Sequence, residues 1–486
     1  MSKQDYNQWT ILCRVILGML FLASPMQAQN TVQACPAPDG EPLSAQFKVT
    51  VGQTNVPVYL ARIGSLSPDQ RRHQGLPVQK DTTTTSFSSF NMGGPIQVTV
   101  TCTEAVTSAK LLPTSSGIKP EFSGNTITFT VVTPGQLTLE VNGNWLNSLH
   151  LFANPVETAV PNPTDPNVIY FGPGIHQVQN IEVTSGKTVY IADGAIIYGH
   201  SEGANPGAPI FYLHGSNIVL RGRGVIDGSL CPRSDRSIPG HFILGRSVLG
   251  VNGSNIQVEG VILRDSSGFT LPVRMSENVK ISNVKVFGWR GNSDGMDICN
   301  SRQVEVSNCF LRTYDDLIVL KTDKGQGELR DVTVKNCVLW NEFAHALSLG
   351  AELREPLTNI LFSDCDVIHD KGREWDLRVY NCDSAPVKNV VFDNIRIEES
   401  RRLMSVWIGT AVWSKEAERG HIDDVTFKDI TTVAPELPGP LAELIGIDAD
   451  HAVNHVLFQN VVVGGRPLSE SDLHQNAFVQ DVTVTP

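Results

Sequence analysis

A strand pair led by a polar residue recurs along most of the chain, and this repeat limits the folds that the chain can adopt. A polar residue, an alternating strand, a turn and a second strand return nine times, at intervals of 23 to 38 residues. The repeats begin at Ser216, Ser254, Glu277, Arg302, Arg330, Thr358, Lys388, Asp423 and Asn454. One unit cannot bury its own apolar side chains, whereas stacked units bury a continuous column of them. The repeat therefore predicts an all-β chain that forms a right-handed parallel β-helix. Paired β-sandwiches or a propeller are the alternatives, but propeller blades need about 40–50 residues each.

The chain that precedes the repeats has a different pattern. From residue 29 to 153, short alternating runs such as FKVTVGQ and TITFTVV are separated by turn residues, which is typical of a β-sandwich. Residues 154–167 contain four prolines and predict a stiff linker. We therefore expect an N-terminal β-sandwich module over 29–153, a linker over 154–167 and the β-helix over 168–486.

Residues 1–28 have the character of an export signal. Lys3 and Arg14 precede or begin the apolar run Val15–Ala23, and Ala28 is a plausible cleavage point. An uncleaved membrane anchor is the alternative, although the apolar run is short for a bilayer span. The sequence predicts a secreted or periplasmic protein.

The cysteines are expected to be structural. Cys309, Cys337 and Cys365 recur every 28 residues, so a solenoid would stack them as buried free thiols. Cys35 and Cys102 could form a disulfide in an oxidising compartment. No CxxC motif or histidine pair accompanies these cysteines, so they do not indicate a metal site.

The formal net charge of −12 argues against general binding to nucleic acid or to anionic membranes, because phosphate contacts need basic surface. We expect a monomer without membrane contact beyond the export signal.

An acidic residue and an acidic pair are separated by about one repeat. Asp294 lies in an Asn-Ser-Asp-Gly turn, and Asp315 and Asp316 follow 21 and 22 residues later. Residues one repeat apart in a solenoid are stacked neighbours, and parallel strands lie roughly 4.8 Å apart. The three carboxylates should therefore share one patch. Crowded ionised carboxylates repel each other, which is costly unless they take part in chemistry or bind a cation.

Such a patch suits hydrolysis of a glycosidic bond. One protonated carboxyl donates to the leaving oxygen, and an ionised carboxylate activates water. Mutual repulsion should raise the proton affinity of one member. Adjacent residues on a strand point to opposite faces. The backbone must therefore bend over Thr313–Asp316, before a strand at Leu317–Leu320, if Asp315 and Asp316 are both to face a groove. A solvated acidic turn is the structural alternative.

The longest turns between repeats, Lys371–Cys382 and Val406–Arg419, are expected to form the walls of a groove for a chain substrate. Tryptophans in or near these walls could stack on sugar rings. They are Trp289, Trp340, Trp375 and Trp407.

Four motifs together resemble glycoside hydrolase family 28, the polygalacturonase and rhamnogalacturonan hydrolase family. They are NSDG, the Asp pair 21 residues later, HALSLGAE (His345–Glu352) and RVY (Arg378–Tyr380). The resemblance covers roughly Tyr170–Glu399. It implies a parallel β-helix, a polysaccharide or oligosaccharide substrate, an inverting mechanism, and no cofactor or metal.

The resemblance also implies roles for individual residues. Asp315 would be the general acid, Asp294 and Asp316 would activate the attacking water, and His345 would orient the acid. Substrate contacts are assigned to Arg378, Lys321, Tyr380 and Asn292, and Asn292 is also expected to orient the Asp294 turn. We expect Asp297 to face away from this group as a structural hydrogen-bond acceptor.

Several positions depart from the family pattern. Tyr314 replaces the glycine before the Asp pair, and Ala344 and Ala346 replace the glycines that flank the histidine. Tyr380 replaces a lysine that contacts galacturonate, and a polyanion needs cations close by. The N-terminal module and the aromatic residue before the Asp pair are also similar to glycoside hydrolase family 49, whose members cut neutral α-glucans.

Two further functions fit a β-helix. A polysaccharide lyase would need a cation such as Ca²⁺ and a Lys or Arg base. A glycan-binding solenoid would bind without cleaving, and the clustered carboxylates argue against it.

Overall fold

The computed structural model describes residues 31–65, 82–200, 208–231, 246–372 and 374–486. The predicted export signal therefore lies outside the described residues. No helix in the described part of the chain has the length and apolar character needed to cross a lipid bilayer.

The C-terminal part is the parallel β-helix that the repeat predicts. Each complete coil contains three short strands, which pair in parallel with the equivalent strands of the next coil. The last covered-face pair, Val462–Val463 with Arg466–Pro467, is antiparallel. We name the three faces of the coil the front face, the side face and the covered face. Front and side faces belong to one 21-stranded sheet, and the covered face belongs to a 12-stranded sheet.

The strands of each face follow in chain order. The front face contains Leu271–Arg274, Met296–Cys299, Ile318–Thr322, Leu347–Leu353, Leu377–Asn381, Met404–Ile408, Ala442–Ile445 and Leu473–Gln475. The side face contains Glu277–Ser282, Arg302–Ser307, Leu329–Lys335, Leu357–Ser363, Val387–Asp393, Ile422–Lys428, Val453–Gln459 and Val479–Thr485. The covered face contains Gly174–Val178, Ala195–His200, Val225–Leu230, Ile262–Arg264, Lys285–Gly288, Phe310–Thr313, Val338–Asn341, Asp366–Asp370, Arg396–Ile397, Thr431–Thr432, Val462–Val463 and Arg466–Pro467. The first coils contribute Val168–Phe171, Ile181–Val183, Thr188–Ile191, Phe211–Gly222 and Leu249–Glu259 to the front and side faces, and Glu470–Asp472 is a 3₁₀ turn.

Apolar ladders fill the inside of the coil. Phe362, Phe392 and Phe427 stack on successive coils with ring centroids 4.9 and 5.0 Å apart. The predicted thiol ladder is present as well, because Cys309, Cys337 and Cys365 are all fully buried free cysteines. Each inward side chain thus has an apolar neighbour above and below it, which is how stacked repeats bury a core that one repeat cannot.

The turn from the side face to the covered face depends on residues that tolerate a left-handed backbone. Asn and Asp adopt this conformation more easily than other non-glycine residues. On successive coils the position is occupied by Asn308, Asn336, Asp364, Asn394, Asp429 and Asn460, all with φ between 51° and 55°. Their side chains also hydrogen-bond along the stack, as between Asn394 Nδ2 and Asp364 Oδ1 at 2.7 Å.

The N-terminal module is a sandwich of two sheets that share one apolar core. The six-stranded sheet contains Thr31–Gln33, Tyr59–Gly64, Thr82–Gly93, Ala109–Leu112, Gly135–Val141 and Asn144–Pro155. The five-stranded sheet contains Phe47–Val51, Thr54–Val56, Ile96–Cys102, Glu121–Ser123 and Thr126–Val131, and Thr114–Ser116 is a 3₁₀ turn. The last strand extends two residues into the segment that the prolines predict as a linker.

The six-stranded sheet packs against the outside of the covered face. Phe87 and Phe152 of the module contact Phe287 and Phe310 of the β-helix, with ring centroids 5.4 Å apart for Phe87–Phe287 and 5.2 Å for Phe152–Phe310. Outward side chains on this face are therefore buried, and the module and the solenoid share an interior.

Polar contacts cross the same interface on several successive coils. From the β-helix, Arg264, Lys285, Arg312 and His369 each bond a residue of the module. Their partners are Glu41, Asn154, Ser148 and Glu140, respectively. Because each contact joins two specific side chains with polar or charged groups, the interface has a defined register as well as apolar area.

Two expectations from the sequence are wrong. Cys35 does not pair with Cys102: both are free, Cys102 lies in the sandwich core, and Cys35 lies against Gly194 of the β-helix. Trp340 is not in a groove wall, because it lies on the covered face beneath the module, 6.2 Å from Trp145.

Candidate active site

The structure brings the three predicted aspartates together at the edge of the front face. Asp294 lies two residues before the strand Met296–Cys299, and Asp316 lies two residues before the strand Ile318–Thr322. The amide of Gly295 donates to the Asp316 carbonyl at 2.8 Å, so the two carboxyls occupy one position on successive coils. One side-chain oxygen from each of Asp294, Asp315 and Asp316 lies within 4.8 Å of the others.

A bend in the backbone lets the adjacent pair point into the same cluster. The covered-face strand ends at Thr313, the chain bends at Tyr314 and Asp315, and the next strand begins at Ile318. Thr313 Oγ1 donates to the Asp315 carbonyl at 2.7 Å, which fixes the bend. The buried Tyr314 ring stacks on Phe343 with centroids 4.8 Å apart, so the residue that replaces glycine supports this turn from below.

Asp315 is the half-buried member of the cluster and is held by main-chain donors. The amide of Asn292 donates to its Oδ2 at 2.7 Å, and the amide of Asp316 donates to its Oδ1 at 3.1 Å. Asn292 has a left-handed backbone with φ 59°, which directs its N–H toward the carboxylate. The Asn292 main chain therefore orients Asp315, and the role of Asn292 in the Asp294 turn stays a prediction.

Lys321 lies between two carboxylates on the floor of the site. Its Nζ is 3.0 Å from Asp294 Oδ2 and 2.8 Å from Asp297 Oδ1, and it lies 4.5 Å above the Phe269 ring. Burial disfavours the charge, but Asp294 and Asp297 outweigh it and hold the pKa of the ammonium well above its usual range. Asp297 thus faces the site, contrary to the expectation that it points away.

Burial is the main influence on the proton affinity of the cluster. It raises the pKa of Asp294 well above its usual range, and the charge of Asp297 adds to the effect. It raises the pKa of Asp316 to about 7, although Lys321 opposes the shift. The sequence suggested mutual repulsion as the cause, but loss of water is the larger one. The cluster therefore retains protons near neutral pH.

His345 extends the row of functional groups by one coil. It lies two residues before the strand Leu347–Leu353, the position that Asp316 occupies on the coil before it. Its Nδ1 donates to the Trp375 carbonyl at 3.1 Å, which leaves Nε2 toward the acids, 3.4 Å from Glu374 Oε2 and 3.9 Å from Asp316 Oδ1. The hydrogen bond of Nδ1 therefore sets the protonation state of Nε2, the His345 nitrogen that faces the acids.

Glu374 is a site residue that sequence reasoning missed. It contacts His345 and also accepts from Arg378 Nη1 at 2.8 Å. Arg378 also donates from Nε to Ser348 Oγ at 3.2 Å, and its guanidinium lies 4.8 Å from the Tyr380 ring centroid. Arg378 and Tyr380 belong to the strand two coils after Ile318–Thr322, roughly 10 Å along the front face.

The predicted groove walls are shorter than the sequence suggested. Part of each turn is a front-face strand, so the connecting segments are residues 371–376 and 409–421. Trp375 lies in the first segment, and Trp407 lies on the strand that leads to the second. Trp289 is buried, donates to Asp265 at 2.8 Å and lies between the guanidinium groups of Arg62 and Arg290, so it is structural.

The cluster has the groups that acid–base hydrolysis needs. Within the described part of the chain, Asp294 Oδ1 and Asp316 Oδ1 are buried oxygens without a hydrogen-bond partner. Buried acceptors of this kind are costly unless another molecule bonds them, and they are suited to accept from a water. Asp315, which is half-buried, is the carboxyl that a bound sugar can reach.

Replacing Asp316 by asparagine should stabilise the protein at alkaline pH while it abolishes activity. A folded pKa near 7 exceeds the usual value of an aspartate, so this group favours folding below about pH 4 and loses that contribution as the pH rises through 7. At pH 8, Asp316→Asn should therefore unfold at a higher temperature than the wild type, by about 1–3 kcal/mol in free energy. The difference in stability between Asp316→Asn and the wild type should be smaller at pH 5. Calorimetry measures the unfolding of both proteins at pH 5 and pH 8, with the exposed Asp481→Asn as the control. An equal difference at the two pH values would contradict the effect of burial on the Asp316 pKa.

Two known proteins are similar to parts of this chain in sequence. An endo-polygalacturonase of Pectobacterium carotovorum subsp. carotovorum is 27% identical over 187 residues, which are 37% of this chain and 41% of that protein. A polygalacturonase of Juniperus ashei is 25% identical over 249 residues, which are 46% of this chain and 47% of that protein. The chain thus spans less than half the length of the curated relatives it matches.

Solved structures share the fold. Dex49A from Penicillium minioluteum superposes with a TM-score of 0.68 at 14% identity, over 93% of this chain and 96% of that one. A hyperthermoactive exopolygalacturonase from Thermotoga maritima superposes with a TM-score of 0.51 at 16% identity, over 65% of this chain and 84% of that one. The sequence profile of the glycosyl hydrolases family 28 matches residues 172–470, more than half of the chain. The chain belongs to the glycosyl hydrolases family 28.

Proposed function

We propose that this protein is an exported polysaccharide hydrolase that cleaves glycosidic bonds by an inverting acid–base mechanism. The observation that carries the proposal is the group of three aspartate oxygens within 4.8 Å of one another at the edge of the front face. The front-face strands follow one another along the stack of coils, and such a continuous surface suits a chain substrate.

The proposed reaction divides the work among the three aspartates. Asp315 donates its proton to the glycosidic oxygen as the bond from that oxygen to the anomeric carbon breaks. A water held by Asp294 and Asp316 adds to the anomeric carbon and gives its proton to one of these carboxylates. His345 and Lys321 position the acids. The reactive state is the one in which Asp315 carries the proton that it donates and at least one of Asp294 and Asp316 is ionised.

Inversion is supported by the motif series and not by the distance between the acids. Inverting enzymes usually separate their two carboxyl groups by about 6.5–9.5 Å, and the oxygens here lie closer than that. The proposal therefore places the water on the Asp294–Asp316 side of the sugar and the leaving oxygen on the Asp315 side. The anomer that the protein releases tests this arrangement, and NMR identifies the anomer of the first product before mutarotation. Release of the inverted anomer is expected, and the retained anomer would exclude this arrangement.

Polygalacturonan is the first substrate that we propose, because the two similar curated proteins described above are polygalacturonases. A neutral α-glucan is the second candidate, because Tyr380 replaces the lysine that the family uses for galacturonate. Incubation with pectic, rhamnogalacturonan and α-glucan substrates, followed by a reducing-end assay, tests both. Sequencing the N terminus of the mature protein from a secreting host tests cleavage after Ala28.

A chelator should leave the activity unchanged. Three clustered carboxylate oxygens have the chemistry to coordinate a divalent cation, and a lyase on this fold would use one. In our proposal the positive charge at this site comes from Lys321, 3.0 Å from Asp294. Activity in EDTA should equal activity in buffer, and products should show no ultraviolet absorbance from an unsaturated sugar. Loss of activity in EDTA that Ca²⁺ restores would favour the lyase.

A further inference from the structure

An aromatic pair lies on the front face beyond the carboxylates. Tyr380 and Trp407 pair across adjacent strands, their ring centroids are 4.2 Å apart, and the rings are inclined by 43°. Both side chains are half-buried, so part of each side chain is exposed. Along the stack the pair lies two and three coils after the strand of Lys321, roughly 10 and 14 Å away.

Gly409 leaves the room that the Trp407 indole occupies. A Cβ atom at Gly409 would lie 2.2 Å from the Trp407 ring, closer than real contacts allow. The glycine therefore lets the indole lie flat against the chain at this position. The indole is half-buried, so part of it remains accessible to a ligand.

The cations next to this pair are already bound to acids. Arg378 bonds Glu374 at 2.8 Å, and Lys321 bonds both Asp294 and Asp297. A sugar carboxylate at this point would lie near Glu374 and would have to compete for Arg378, which is unfavourable. Arg402 is exposed, but its guanidinium lies 5.5 Å from the Trp375 ring, on the turn before the strand and not on the ladder that carries Trp407.

We propose that the Tyr380–Trp407 pair binds an uncharged pyranose unit of the polysaccharide by stacking on its apolar C–H face. The inference rests on the proposed function and deepens it. It gives the substrate at least one neutral sugar on this side of the cleaved bond, whether the remainder of the polymer is acidic or not. Aromatic rings bind a ligand through the apolar area that they bury and through their π face, which is electronegative. Neither contribution attracts a carboxylate.

Binding to a hydrolytically inactive variant tests this without relying on catalysis. Asp315→Asn is titrated by calorimetry with two pairs of oligosaccharides of equal length. One pair is an oligogalacturonate and its carboxyl-reduced form, and the other is a maltodextrin and its C6-oxidised form. We expect the uncharged member of at least one pair to bind at least about tenfold more tightly than its charged partner. Preference for the charged member in both pairs, or no binding of either uncharged member, would overturn the proposal.

Four further variants in the same background locate the contact. Trp407→Ala should weaken binding of the uncharged oligosaccharide about tenfold or more, and Gly409→Ala should weaken it while the tryptophan is retained. Exposed Phe122→Ala in the N-terminal module is the matched control and should change nothing. Arg402→Gln should leave the preference for the uncharged member intact. Unchanged affinity in Trp407→Ala would overturn the assignment.

The two proposals can fail separately. Trp407-dependent binding of an uncharged oligosaccharide by a wild-type protein that cleaves none of the panel would remove the hydrolase and keep the stacking site. Cleavage with preference for charged oligosaccharides would remove the stacking site and keep the hydrolase.

Discussion

Replacement of Asp315 by asparagine is expected to lower kcat on the polysaccharide by at least about 10³-fold. An amide cannot donate the proton that the leaving oxygen needs. The remaining oxygen can still accept from the main-chain amide of Asn292 or of Asp316, which keeps the side chain in place. The folded structure and the affinity for oligosaccharide should therefore remain close to those of the wild type.

A substrate with a better leaving group separates the role of the acid from that of the base. Fluoride leaves without full protonation, so Asp315→Asn should retain activity on the glycosyl fluoride of the sugar that the wild type releases. Asp294→Asn and Asp316→Asn should lose activity on both substrates, because the water is no longer activated. If Asp315→Asn does not hydrolyse the glycosyl fluoride and Asp316→Asn does, Asp316 is the acid and Asp315 is the base.

Replacement of Arg312 by methionine is expected to destabilise the protein by about 3–5 kcal/mol. Arg312 and Glu342 are both fully buried, with Nε 3.1 Å from Oε1. The guanidinium also donates to Ser148 Oγ at 3.2 Å and to His150 Nε2 at 3.2 Å in the N-terminal module. Methionine fills similar volume but leaves the charge of Glu342 buried without its main partner.

A double variant distinguishes the lost charge balance from lost packing. Arg312→Met with Glu342→Gln removes both charges, so it should recover much of the melting temperature that the single variant loses. Arg302→Gln is the control, because its pair with Glu277 is exposed and surface pairs contribute roughly 0–1 kcal/mol. Calorimetry measures the three variants. A single variant as stable as the control would show that the buried pair does not join the module to the solenoid.

His150 illustrates how the interface fixes a protonation state. Burial lowers its pKa well below the usual value, and the nearby charge of Arg312 adds to the effect. The ring is therefore neutral, with Nδ1 toward Thr138 Oγ1 at 2.8 Å and Nε2 accepting from Arg312. No pattern in the local sequence of strand Asn144–Pro155 indicates this, because the partner lies 162 residues away.

The sequence predicted what depends on the repeat length. Asp294 and Asp316 meet because one coil of the solenoid separates them, and the bend at Tyr314 and Asp315 was required by the alternation of side chains on a strand. Glu374 could not be found in this way, because it lies in a connecting segment whose path depends on contacts with other coils. The prediction that Asp297 faces away from the site was wrong because Asp294 lies in the turn before the strand. The alternation of side chains along a strand does not extend to residues of that turn.

The covered position of Trp340 had a signal in the sequence. The strands Lys285–Gly288, Phe310–Thr313 and Val338–Asn341 carry large apolar residues on both sides of the backbone. A strand with one face in water alternates apolar and polar residues, whereas a strand buried on both faces does not. This pattern indicates a second layer over the solenoid, but it does not say which part of the chain supplies it.

The contacts between the module and the covered face limit how many coils the solenoid can have beneath the module. Glu41, Asn154, Ser148 and Glu140 are fixed in one rigid sandwich, and each meets a residue on a different coil. Gain or loss of one whole coil between these points would shift every later partner by roughly 4.8 Å and break the buried pairs. The module also contacts Glu398, one coil after His369, through the Thr114 amide. Growth of this chain by duplication of coils is therefore confined to the C-terminal end, beyond Glu398, and relatives that keep the module should keep the number of coils beneath it.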